Sequence, residues 1–307
     1  MPESFKASAP GKLMLLGEHA VLHGKRCLVC AVSQRMHVHV TPRHDGLVTI
    51  ASDLGEYSSA LADLTPNAKF KFVLAAIQQQ ADEMSRGIDI RITSDFSDNV
   101  GLGSSAAVTA ALTAALFAML GKPFSREEIF RQSLKVIRSI QGVGSGADLA
   151  ASVYGGILAY RMQPLEIRPL EGSYPITVIY SGHKTPTVEV IKRVEEQRAK
   201  FPALFAGIYD LMDQSAVMAA EAIEGNDWKT VGELFNINQG LMDAIGVNDK
   251  SLADINHALR AEPDILGGKI SGSGLGDCFI ALGKVTNPDF PFPIIPLQIS
   301  SQGVSID

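Results

Sequence analysis

The chain has 307 residues, 46% of them hydrophobic and 20% charged, with a formal net charge of −6 and a pI near 5.7. That composition fits a soluble globular protein of one large or two medium domains. The acidic balance argues against a nucleic acid or an anionic membrane as partner, since both favour basic patches, but leaves room for a local basic pocket around a small anion.

The longest small-apolar run, residues 106–120, is fifteen residues long, shorter than the roughly 20 that span a bilayer. The first six residues carry no apolar signal core, and a cytoplasmic location is expected. Three cysteines fit a reducing compartment. Cys27 and Cys30 form a C-x-x-C inside the strand-like run RCLVCAV, where positions i and i+3 face opposite sides, so they are expected to be ordinary buried thiols rather than a metal pair.

In chain order, residues 5–22 and 26–43 read as strands, with His37 and His39 alternating with Val38 and Val40 so that one face is wet. Residues 47–52 read as a short strand and 69–87 as a helix, from the spacing of Phe70, Val73, Leu74, Ile77 and Ala81. Residues 88–96 form a strand that leads into a glycine loop. A small-residue helix from Ser104 to about Gly121 follows, stopped by Gly121 and Pro123. The next helix, 125–140, opens with Ser125 and Glu128 in capping-box spacing. A second glycine loop, 142–156, precedes a strand at 157–162. The Pro-rich, polar stretch 163–175 marks a domain boundary. A strand at 176–181 and helices at 187–200, 204–223 and 228–245 come next. A third glycine loop, 267–277, precedes a strand at 278–283, and IIPLQIS is expected as the last strand.

The stretch DNVGLGSSAAVTAAL, residues 98–112, looks like a phosphate cradle. Gly101, Gly103 and Ala106 satisfy G-x-G-x-x-G/A, but the acid that a dinucleotide fold carries on its second strand is missing: Glu127 and Glu128 lie in another helix. No lysine follows, as a P-loop would need. What survives is a helix N-terminus at Ser104 with unpaired N–H groups, glycines that let an anion approach, and hydroxyls at Ser104 and Ser105 able to donate to a phosphate or bind its magnesium ion. The plain alternative is a glycine turn before a self-capping helix.

A second motif, APGKLMLLGEHAVLHG at residues 9–24, places Lys12 in an apolar strand. A lysine there is costly unless it meets an anion, or else snorkels to water from an edge. Glu18 and His19 stand at the strand's far end. His19 and His23 are four apart, but without the order H-E-x-x-H they do not make a zinc site. Asp148, in the second glycine loop, would by itself read as the N-cap of a helix over 149–154.

APGKLMLLGEHAVLHGK, GLGSSAAVTAAL and GGKISGSGLGDC resemble, in order and spacing, the three motifs of the GHMP small-molecule kinase superfamily, and the resemblance runs from about residue 5 to 283. The first motif is most similar to that of the mevalonate kinases. The resemblance implies a two-domain α+β fold, with an N-terminal half like ribosomal protein S5 domain 2 (1–168, binding ATP) and a ferredoxin-like C-terminal half (169–307), the active site lying between them. It implies ATP and Mg2+ as cofactors, with the loop of Asn99, Gly101, Leu102, Gly103, Ser104, Ser105 and Ala106 around the phosphates and Ser105 on the metal. Asp148 would be the catalytic carboxylate and Lys12 its neighbouring cation. Glu18, His19, Thr187, Gly272, Ser273 and Gly274 would meet the substrate. The implied reaction is phosphorylation of a small-molecule substrate, mevalonate, with a tendency to form homodimers and no nucleic-acid or membrane partner.

Such a transfer needs an alcohol held in line, its proton accepted and the developing charge neutralised, roles that Asp148 and Lys12 suit. One departure stands out. The mevalonate kinases carry a second acid on the helix before the aspartate loop, and eleven positions before Asp148 this chain has Ile137. GSGADLAASVYGG and GSGLGDC also resemble phosphomevalonate kinase, whose acceptor would need further cations, for which His183, Lys184, Arg138 and Lys269 are candidates. A nucleotide-binding relative without catalysis is a further alternative. By position alone, residues 52–70 are a candidate base-binding loop.

Overall fold

The computed structural model describes residues 4–97, 100–142 and 144–306. It opens with two long antiparallel strands, β1 (Phe5–Leu16) and β2 (Arg26–Pro42), joined through a 3-10 turn at Ala20–His23. The hairpin β3 (Leu47–Ser52) and β4 (Gly55–Ala60), the short helix α1 (Lys71–Gln78) and β5 (Ile88–Ser94) follow. β5 pairs antiparallel with β2 and parallel with β3. Helices α2 (Ser104–Met119), α3 (Arg126–Gln141) and α4 (Ala147–Tyr154) come next, then β6 (Ile157–Arg161), paired with β2, and β7 (Glu166–Leu170), paired with β6.

The second half contains β8 (Ile176–Lys184), helices α5 (Thr187–Lys200), α6 (Pro202–Glu224), α7 (Trp228–Ala244) and α8 (Lys250–Arg260), and then β9 (Gly267–Ser271) and β10 (Gly276–Leu282). β10 lies between β8 and β9 in a three-stranded sheet. The chain ends with β11 (Ser305–Ile306), which returns to the edge of β1 in the first sheet.

The two sheets are held by three buried clusters, and β2 separates two of them. Cys27 and Val29 point into the core under α2, while Leu28 and Cys30 point into a second core with α6, α7 and β10. A strand covered on both faces has to be apolar at every position, which accounts for the unbroken run CLVCAV. The two thiols thus face opposite sides, as strand geometry requires, and burial pushes Cys30 up to about 12. Helix α2 has no polar face because it has no wet face: it packs on β1 and β2 below and on α1, α3 and α4 around it. Ala106, Ala107, Ala110, Ala111, Ala114 and Ala115 are buried, and their small size lets the helix sit close to the sheet.

Several expectations need correction. Residues 55–60 form β4, so the stretch 52–70 is not one open loop. A strand not expected, β7, lies within the stretch 163–175, and the glycines at 267 and 268 open β9 rather than a loop. Helix α8 went unforeseen. IIPLQIS forms only isolated bridges, Ile179 with Ile294 and Val32 with Ile299. At α3 the cap is half as expected: Ser125 Oγ accepts from the Glu128 N–H at 3.3 Å, whereas the Glu128 carboxylate turns to Arg131 and Gln132. Among the described residues no helix is long and apolar enough to cross a membrane.

Candidate active site

The glycine loops converge on one cleft between the halves, a cavity of about 230 Å³. Its wall includes Lys12 from β1, Glu18 and His19 from the following turn, Ser104, Ser105 and Ala106 from the start of α2, Asp148 from α4, Thr187 from α5, Gly272 and Ser273 from the β9–β10 loop, and Asp277 from the start of β10.

Lys12 is nearly inaccessible, and its Nζ lies 3.4 Å from Asp148 Oδ2 and donates to the Gly101 carbonyl at 3.2 Å. Burial alone would push the ammonium down. Asp148 and then Asp277 outweigh it and hold Lys12 above its ordinary 10.5, so it remains a cation at neutral pH. The lysine therefore meets its anion inside the fold and does not snorkel. Asp148 sits in the first turn of α4, whose N-cap is Gly146. It does not cap the helix, and its side chain, 47% exposed, is open to the cleft.

Helix α2 starts at Ser104 behind Gly103, whose φ of +78° and missing side chain leave the helix without a side-chain cap. Ala106 and Ala107 donate their N–H groups to the Gly103 carbonyl, which leaves the N–H groups of Ser104 and Ser105 for an anion. A Cβ at Gly103 would come within 2.8 Å of Lys12 Cε. Leu102 is buried, and its carbonyl accepts the Lys12 N–H at 2.8 Å. Asn99 lies outside the described residues. Ser104 and Ser105 also border a second cavity of about 640 Å³, lined by Ser52, Asp53, Leu54, Lys69 and Phe70. The two ends of the 52–70 stretch thus do reach a cavity next to the loop.

Glu18 is buried, with Oε1 paired to the fully buried Lys269 and Oε2 without a partner among the described residues. Burial pulls Lys269 below its ordinary value, and Glu18 offsets this in part. His19, in the left-handed region at φ 57°, bonds the Ser273 carbonyl through Nε2 at 2.9 Å. A carbonyl only accepts, so that nitrogen carries the proton. Burial lowers the His19 pKa, and the imidazole is neutral. His23 points elsewhere, to Glu195 and the face of Tyr209. The two histidines form no metal pair, and among the described residues no cluster of three or more His, Cys, Asp or Glu could hold a metal ion.

Gly272 and Ser273 line the cleft, whereas Gly274 packs on Val247, whose carbonyl would lie 2.5 Å from an added Cβ. Ile137 stands in the cleft wall, while Glu127 and Glu128 pair with Arg131 at the other end of α3. The sequence reading missed Asp277. It lies at φ 71°, accepts the Gly101 N–H at 2.7 Å and sits 3.4 Å from Lys184 Nζ. An acid among the glycines of GSGLGDC was its only signal.

A strand lysine paired with an aspartate beside a helix N-terminus can serve phosphoryl transfer, and three family models match the chain. The GHMP kinases N terminal domain matches residues 68–156, the GHMP kinases C terminal domain matches 219–288, and the galactokinase galactose-binding signature matches 2–42. The chain belongs to the GHMP kinases, ATP-dependent phosphotransferases with a two-domain fold. Among curated relatives it is 33% identical to the mevalonate kinase of Thermococcus sibiricus, the alignment covering 98% of each chain. Among solved structures, a Lin0012 protein from Listeria innocua matches with a TM-score of 0.88 over 99% of both chains at 19% identity. The Methanococcus jannaschii mevalonate kinase matches with a TM-score of 0.80 over 97% of this chain and 98% of that one at 23% identity.

Proposed function

We propose that the chain phosphorylates mevalonate at its primary hydroxyl, with MgATP as donor. The observation that carries this reading is the buried Lys12 held 3.4 Å from a cleft-facing Asp148, in a cavity that also contains Glu18, His19 and the start of α2. The curated relatives named mevalonate kinase, similar along the whole chain, support the acceptor. ATP's phosphates fit across Ser104 and Ser105, where the two cavities meet, with the base in the larger one. The Ser105 hydroxyl would hold Mg2+ together with the bound phosphates, and the ion would neutralise their charge. Ile137 gives it no carboxylate.

In this cleft Asp148 accepts the proton of the acceptor hydroxyl as its oxygen forms the new bond to the γ-phosphorus and the bond to ADP breaks. Lys12 stabilises the charge that develops between them. Residues 1–168 form the half that binds ATP, and 169–307 the half that closes the acceptor side. The cations considered for a phosphorylated acceptor are mostly out of reach. Lys269 is locked to Glu18, His183 is paired with Asp249, and of the four only Lys184 lines the cleft. A coupled ADP-release assay over mevalonate, phosphomevalonate, homoserine and galactose tests the reading. Turnover is expected with mevalonate. Turnover with another acceptor and none with mevalonate would overturn it.

A further inference from the structure

The N–H of Gly101, in the loop expected around a phosphate, is taken by a carboxylate of the protein itself. Asp277 reaches over from the start of β10, its Oδ1 accepting that N–H at 2.7 Å and its Oδ2 lying 3.4 Å from Lys184 Nζ. The carbonyl of the same glycine accepts from Lys12 Nζ, which in turn faces Asp148. One unbroken polar chain, Asp148–Lys12–Gly101–Asp277–Lys184, thus crosses the cleft from one half to the other. Gly101 has no room for a side chain, because a Cβ would fall 1.9 Å from Asp277 Oδ1. Asp277 itself occupies the left-handed region at φ 71° and has a side chain only 9% exposed. A residue that is not glycine keeps such a backbone only when its surroundings hold it, and a buried carboxylate is tolerated only with partners. All of these contacts lie beside the reacting pair.

We propose that Asp277 is a positioning residue for phosphoryl transfer. It clamps Gly101, and through Gly101 it fixes Lys12 against Asp148, while it holds Lys184 at the cleft wall. The proposal rests on the reading of this cleft as the transfer site.

Two variants separate the clamp from a merely structural acid. Asp277→Ala removes both contacts. Asp277→Asn keeps an oxygen for the Gly101 N–H and removes the charge that holds Lys184. Both are compared with wild type on whichever acceptor wild type turns over, together with hydrogen exchange of the Gly101 amide. Asp277→Ala is expected to lower kcat roughly tenfold or more and to speed exchange at Gly101. Asp277→Asn is expected to keep the slow exchange and lose kcat by a smaller factor. If Asp277→Ala does not fold, Asp277→Asn decides alone: a several-fold loss of kcat with Gly101 still protected supports the clamp. Wild-type kcat in either variant, or unchanged exchange at Gly101 in Asp277→Ala, overturns it. A wild-type enzyme active only on an acceptor other than mevalonate overturns the substrate assignment and leaves the clamp intact.

Discussion

His19 shows how burial and function share one side chain. Its ring is neutral in the folded protein because burial disfavours the cation more than the Ser273 carbonyl and Glu18 favour it. In the unfolded chain the same ring takes a proton near pH 6.5. Below that pH the unfolded state binds a proton that the folded state refuses, so stability falls on acidification until the folded pKa is reached. Unfolding free energies from urea titrations between pH 7.5 and 5 should therefore decline more gently in His19→Asn than in wild type, by up to about 1.4 kcal/mol per pH unit for one proton. Parallel curves for the two proteins would show that His19 is not the buried neutral group described.

At the scale of elements, the start of α2 depends on Gly103. Its positive φ and the closeness of Lys12 Cε both exclude a Cβ. Gly103→Ala should cost about 1–2 kcal/mol in urea unfolding from the backbone alone, and should lower kcat by displacing Lys12. A variant with wild-type stability and kcat would contradict this account of the loop.

Elements whose packing follows a single period were readable from the sequence. α5 runs over Thr187–Lys200 and β3 over Leu47–Ser52, both as expected. β9 was hidden because its glycines answer to a tertiary contact: a Cβ at Gly267 would lie 1.9 Å from the Gly232 carbonyl oxygen on α7. β4, GEYSSA, has almost no apolar face to alternate and survives as the outer strand of a hairpin. α8 carries its signal in Asp249 as N-cap and in Leu252, Ile255 and Leu259 along one face. In the candidate site, Lys12 was legible as a charge in an apolar strand and the serine loop as glycines and hydroxyls at a helix start, whereas Asp148 alone reads as an N-cap and was marked only by the family resemblance. Asp277 was not legible, because what it does depends on a loop 176 residues away.

For the whole molecule, β1 lies in the first sheet and meets the second half at the cleft, where the Met14 N–H and carbonyl bond the Ser271 hydroxyl of β9. It carries Lys12 at its centre, runs into the turn with Glu18 and His19 and, at its other end, receives β11 from the end of the chain. The central claim is that Asp148, beside Lys12, accepts the proton during phosphoryl transfer to mevalonate. Steady-state ADP release with mevalonate and MgATP, compared between wild type and Asp148→Asn, tests it most directly. Turnover by wild type is expected, with kcat lowered by about 10²–10⁴ in the variant and the fold intact by circular dichroism. A kcat for Asp148→Asn equal to that of wild type would contradict it.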